Sequence, residues 1–118
     1  MSPAEARNKR VVFITCPTRA LARRIARAVV QTRLAACVNI VLSPIESFYT
    51  WKGELEEARE YLLIMKTSAK RLAALENAVK RLHRYDVPEF IALSISEGSK
   101  KYLSWLTESV ARARKNRD

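Results

Sequence analysis

The stretch Ala35–Thr67 constrains this chain more than any other. From Ala36 it reads ACVNIVLSPIESFYTW, then KGE, then LEEAREYLLIMKT. The first part is β-branched, aromatic and apolar, broken only by Pro44, and the last part ends in Leu62-Leu63-Ile64-Met65. Gly53, between Lys52 and Glu54, is the natural turn because glycine takes positive φ without strain. The pattern predicts a β-hairpin of unusual length. A strand of about 16 residues would run roughly 50 Å. A compact domain of this chain length is only roughly 35 Å across. Two outcomes follow. Pro44, which cannot donate to a ladder, bends or bulges the first strand at Ser43-Pro44, or the tip projects. A projecting tip carrying Phe48, Tyr49 and Trp51 would expose apolar surface and open strand edges, which proteins cover by pairing with another chain. The hairpin therefore predicts an oligomer; the other reading is a bent hairpin folded back on its own domain.

The 118 residues suffice for one domain. No apolar run approaches the ~20 residues of a membrane span. The opening MSPAEARNKR carries no signal-peptide pattern. The expectation is a cytoplasmic protein whose two cysteines are free thiols. The net charge of +10 is uneven: residues 1–45 contribute +7, residues 46–111 none, and the tail 112–118 +3. Arg19, Arg23 and Arg27, with Arg24 beside them, make a basic stripe on one helix face. Such a stripe suits solvent, an acidic partner or nucleic acid. The hairpin is charge-balanced, so nucleic acid stays a lesser alternative.

Along the chain, residues 1–9 and 112–118 are expected to be loosely ordered. Val11–Ile14, running to Cys16, reads as a short apolar strand. Thr18 caps a helix over residues 19–32, with Leu21, Ile25, Ala28, Val29 and Thr32 on one face. After the hairpin, Ser68 caps a second helix over residues 69–83, with Leu72, Leu75, Val79 and Leu82 inward. A strand over residues 90–95 and a last helix over residues 100–112 complete the order β-α-β-β-α-β-α. That is an α+β, ferredoxin-like (split β-α-β) fold with an extra C-terminal helix. Right-handed crossovers give an antiparallel sheet in the order 4-1-3-2, both main helices on one face. The other face is left for the third helix and neighbouring subunits.

This topology brings Cys16, His83, Tyr85, Glu89 and the Trp51 region to one end of the domain. Cys37 falls at the opposite end, which disfavours a Cys16–Cys37 disulfide. A thiolate, an imidazole and a carboxylate suit copper or zinc. The spacing alone is unspecific, with neither CxxC nor HxxxH present. His83 as a helix C-terminal group and Cys16 as a core filler are the competing structural readings. With two glycines in all, there is no phosphate loop and no nucleophile elbow, and an enzyme is not expected.

The segments RLAACVNI (33–40), YTWKGELEE (49–57), Lys66-Thr67, HRYDVPEFIAL (83–93) and EGSKKYLSWL (97–106) resemble the CutA family, the divalent-cation tolerance proteins. The resemblance runs from Val11 to Val110. It implies a ferredoxin-like homotrimer in which long hairpins pair between subunits, and a role in tolerance to copper(II) and other divalent ions. In some bacterial members a strand-1 cysteine and a His pair before the loop tyrosine are proposed ligands. Here Ile14 stands at the matching strand position, and Cys16 lies two residues on with the same side-chain parity. The pair reads Leu82-His83, and the usual His-Pro-Tyr reads His83-Arg84-Tyr85. The metal contacts implied are His83 and Cys16, with Glu89 as a third; Cys37, in the Ala-Ala-Cys motif, reads as packing. No cofactor is obligatory. The family is also similar in fold to the PII signalling proteins. By that analogy an effector or partner protein would bind in intersubunit clefts, with Tyr49, Trp51, Lys66, Tyr85 and Trp105 as contacts.

Overall fold

A computed structural model describes residues 8–112. The expected loose order of the two ends falls outside these, apart from residues 8, 9 and 112. Lys9 is already in the sheet. The elements are β1 (Lys9–Cys16), α1 (Arg19–Gln31), β2 (Cys37–Ile40), β3 (Ile45–Trp51), β4 (Glu54–Ser68), a 3₁₀ turn (Ala69–Arg71), α2 (Leu72–Leu82), β5 (Ile91–Ser94) and α3 (Lys100–Ser109). The sheet order is β2-β4-β1-β5, antiparallel, with β3 also paired to β4. This is the expected 4-1-3-2 order, with the expected long first strand cut into β2 and β3.

Both outcomes foreseen for the hairpin occur together. The ladder is interrupted between Ile40 and Ile45, around Pro44, where the missing N–H breaks the pairing. Beyond the break, β3 pairs only with Glu54–Glu60 of β4, while β1 pairs with residues 61–68. The outer hairpin is thus a two-stranded arm. Lys52 and Gly53 both take positive φ, 50° and 80°, as a two-residue hairpin turn of the primed type requires. The arm carries exposed Phe48, Tyr49, Trp51 and Leu55, the last 69 % exposed. The radius of gyration is 15.0 Å and the longest dimension 46 Å. A compact chain of this length would have a radius near 13 Å.

The core lies on one face of the sheet. Alternation along β1 and β4 sends Val12, Ile14, Cys16, Leu63 and Met65 inward. Leu21, Ile25 and Val29 of α1 and Leu75, Ala78 and Val79 of α2 meet them, all buried. The Thr18 hydroxyl accepts the Leu21 N–H at 3.1 Å and starts α1. Ser68 Oγ accepts the Arg71 N–H at 3.3 Å, so the first turn of the predicted second helix is 3₁₀. The predicted helix and strand ends at residues 32, 83, 90, 95 and 112 are one to three residues too generous. Thr67, fully buried, donates its hydroxyl to the Leu34 carbonyl at 2.6 Å and ties β4 to the end of α1.

The opposite parity makes a second apolar surface. Phe13 lies opposite Ile64 and Ile91, and Val11 opposite Leu93. Ile91 and Leu93 are each 49 % exposed. The third helix does not cover this centre. Leu103, Leu106 and Val110 pack on Ala36 and Ile95, where β1 begins. Arg71 locks that corner, its guanidinium donating to the Val110 and Ala111 carbonyls at 2.8 Å each.

Candidate functional site

Where β1 ends, the chain leaving α2 crosses the base of the arm. His83 terminates α2 in extended conformation and is buried. Its Nδ1 accepts the Tyr85 N–H at 3.1 Å, so the proton resides on Nε2, which donates to the Thr15 carbonyl at 2.7 Å. The Tyr85 ring packs on the imidazole at 4.7 Å, and its hydroxyl donates to Glu60 Oε2 at 2.9 Å. One continuous chain of bonds therefore links the end of β1, the end of α2 and the inner end of the arm.

Around this chain opens a cavity of about 550 Å³. Thr15, Glu60, Tyr85, Asp86, Val87 and Glu89 form its floor and one side, and Ser47, Phe48, Tyr49 and Trp51 of the arm the other. Glu60 is the electrostatic centre and only 5 % exposed. Burial, the hydrogen bond to Glu60 and the Glu60 charge raise the Tyr85 phenol above its ordinary range, so it remains a donor. Burial, and then the Glu60 charge, also raise the Glu89 carboxyl.

The expected site residues divide. Tyr49, Trp51, Tyr85 and Glu89 line the one cavity. Lys66 and Trp105 do not. Lys66 bonds the Asn39 side chain on the second apolar sheet face, and Trp105 packs against Tyr102 on α3. Cys16 reaches the right end of β1 but the wrong face. Neighbouring strand residues point to opposite sides; Thr15 lines the cavity while Cys16 enters the helix-side core, fully buried. Burial first, then the Glu60 charge, pushes its thiol up to about 12. Cys37 is also a free thiol. Cys16 and Cys37 pair with Tyr61 and Lys66 of β4, five residues or about 17 Å apart along the strand, which is beyond disulfide reach.

A metal ion does not fit the expected set within one chain. Both His83 nitrogens are already engaged, one as donor and one as acceptor. The Cys16 thiol is protonated at neutral pH. Among the described residues no three His, Cys, Asp or Glu side chains group so as to hold a metal ion. One consequence is measurable. With Ellman's reagent at pH 8, Cys16 should stay unreactive in the folded protein and become titratable in guanidinium. Cys16→Ser should leave the native thiol count unchanged; a lower native count would show Cys16 to be accessible.

Two acidic residues of the cavity, Glu60 and Asp86, were not among the expected site residues, and Glu60 is the buried one. It shares side-chain parity with Leu62 and Ile64, directly before the apolar run. A carboxylate in step with an apolar face was the available signal. Of the basic stripe, Arg23 and Arg27 are exposed. Arg19 lies 5.6 Å from the Tyr61 ring centroid and donates to the Leu42 carbonyl at 3.4 Å.

Fold and cleft together define an α+β, ferredoxin-like protein with an aromatic and acidic cavity at the foot of a projecting hairpin. The chain belongs to the CutA1 divalent ion tolerance protein family, whose model matches residues 10–109. It is 50% identical over 99 residues to the divalent-cation tolerance protein CutA of Thermus thermophilus, covering 84% of this chain and 95% of that one. It is 47% identical over 102 residues to human protein CutA, covering 84% of this chain and 56% of that one, so it spans little more than half of the longer relative. The solved Thermus thermophilus structure superposes with a TM-score of 0.83 at 50% identity, covering 86% of this chain and 97% of that one. The Oryza sativa CutA1 structure gives 0.84 at 46% identity, covering 89% and 95%. Among the described residues no helix is long and apolar enough to cross a membrane. A relative from Arabidopsis thaliana is named chloroplastic and one from Archaeoglobus fulgidus periplasmic.

Proposed function

We propose that this chain serves divalent-cation tolerance as a non-enzymatic, cytoplasmic homotrimer, and that the cavity at the foot of the arm is its ligand site. The observation carrying the reading is the cavity itself: Glu60, Asp86 and Glu89 make its wall negative in a protein of net charge +10. Such a wall concentrates cations locally, in keeping with the solute named for the relatives. The trimer is supported by two apolar surfaces without cover in one chain, the arm and the Phe13–Ile64–Ile91 face. A copper(II) or similar ion finds no complete donor set in one described chain. In this reading a neighbouring subunit completes it.

Native mass spectrometry, with and without one equivalent of copper(II) per chain, tests both parts. The expected species is a trimer that takes up copper stoichiometrically, with uptake lost when the subunits are separated. A trimer that stays copper-free overturns the metal part alone. A monomer overturns the assembly and with it the shared site.

A further inference from the structure

Building on the reading of the cavity as the ligand site, we infer that it receives the protonated amino group of an alkylamine. At about 550 Å³ the cavity lies in the range of small-molecule sites. Its walls combine two kinds of group that attract organic cations. Phe48, Tyr49, Trp51 and Tyr85 present rings, whose faces attract cations, ammonium groups among them. Glu60 presents a carboxylate that is 5 % exposed and takes a hydrogen bond from Tyr85 on one oxygen. A buried carboxylate is costly without a cation. The cavity wall includes no Lys or Arg. An ammonium group bonded to Glu60 would supply the missing charge and donate N–H groups to an acceptor. The raised Glu89 carboxyl, facing Glu60, is a second group that a bound cation would relieve.

The alternatives fit less well. A divalent ion needs several ligands at short range, which one described chain does not supply and a neighbouring subunit would have to complete, whereas an ammonium group needs only the acceptor that Glu60 already presents. A nucleotide or other anion would meet carboxylates and no basic side chain. Quaternary ammonium groups satisfy the rings but add no N–H donor to the one hydrogen bond Glu60 receives from Tyr85.

The test uses the assembled protein with Trp105→Phe, so that Trp51 is the only tryptophan. Titration with 1,4-diaminobutane at millimolar concentrations should change Trp51 fluorescence saturably and raise the melting temperature with concentration. Sodium chloride of equal ionic strength should do neither. Glu60→Gln should weaken the amine by about tenfold or more, as expected for loss of a charged hydrogen-bond partner. Glu89→Gln, at the exposed rim, should weaken it severalfold with the fold undisturbed, which guards against misreading a folding defect at Glu60. No saturable response, or equal affinity in both variants and the parent, overturns the inference. If AMP or copper(II) binds instead and Glu60→Gln abolishes it, the amine is overturned and the ligand site stands. If none of the three binds, both fall.

Discussion

Ile64→Asp is expected to convert the proposed homotrimer into monomers of 13.5 kDa. Ile64 sits at the centre of the second sheet face, opposite Phe13 on β1 and Asn39 on β2. The helix-side core does not involve it, since Leu63 and Met65 on either side point there. In one chain it is half-buried. A closed homotrimer repeats one heterologous interface three times, so with this patch in the interface one substitution places a carboxylate in each of its three copies. Desolvating an unpaired charge costs several kcal/mol, well above the ~1.5–3 kcal/mol that burying the isoleucine contributes. Sedimentation equilibrium reads the mass, and circular dichroism checks that the monomer keeps its helices. A folded trimer with Asp at 64 would move the interface away from this face and leave the arm as its only candidate.

His83→Ala should destabilise the metal-free protein by about 2–4 kcal/mol. Two hydrogen bonds disappear. They are the one Nε2 donates to the Thr15 carbonyl and the one Nδ1 accepts from Tyr85. The Thr15 carbonyl and the Tyr85 N–H are then left without these partners, at about 1–3 kcal/mol for a buried group. The Tyr85 ring also loses the surface it packs on. A denaturant midpoint in the presence of a chelator measures the loss, with the slope checked for constancy. A histidine kept chiefly as a metal ligand would behave otherwise: its removal would leave the chelated protein as stable as the parent and abolish only copper uptake. The two roles thus separate on one curve.

Much of this protein was legible before any coordinates. The periodicities at Leu21–Ile25–Val29 and Leu75–Val79 placed both core helices, because a buried face must recur every three to four residues. Lys52-Gly53 marked the turn, and Pro44 marked the break in the ladder. The end of the sheet that gathers His83, Tyr85, Glu89 and Trp51 followed from chain order and handedness alone. Cys16 lies at the expected end of β1 yet outside the cavity, because topology fixes which end of a strand a residue occupies, while the direction of its side chain depends on register. One position along β1 separates Thr15 in the cavity from Cys16 in the core. Lys66 on β4 and Trp105 on α3 lie away from this cavity for a related reason: chain order does not say which sheet face Lys66 takes or where α3 docks.

The sequence by itself determined the elements, the strand order and a hairpin too long for one compact domain, since these rest on local propensity, hydrophobic period and loop length; that the hairpin projects was decided by the tertiary structure. The sequence also carried the family. Only the tertiary structure decided the chemistry of the cleft. The Thr15–His83–Tyr85–Glu60 chain joins residues up to 68 positions apart. Whether an imidazole nitrogen is open to a metal or already bonded is a matter of ångströms between such segments. No local pattern encodes it, because the hydrogen bond that settles it forms only once β1, β4 and the end of α2 have packed together.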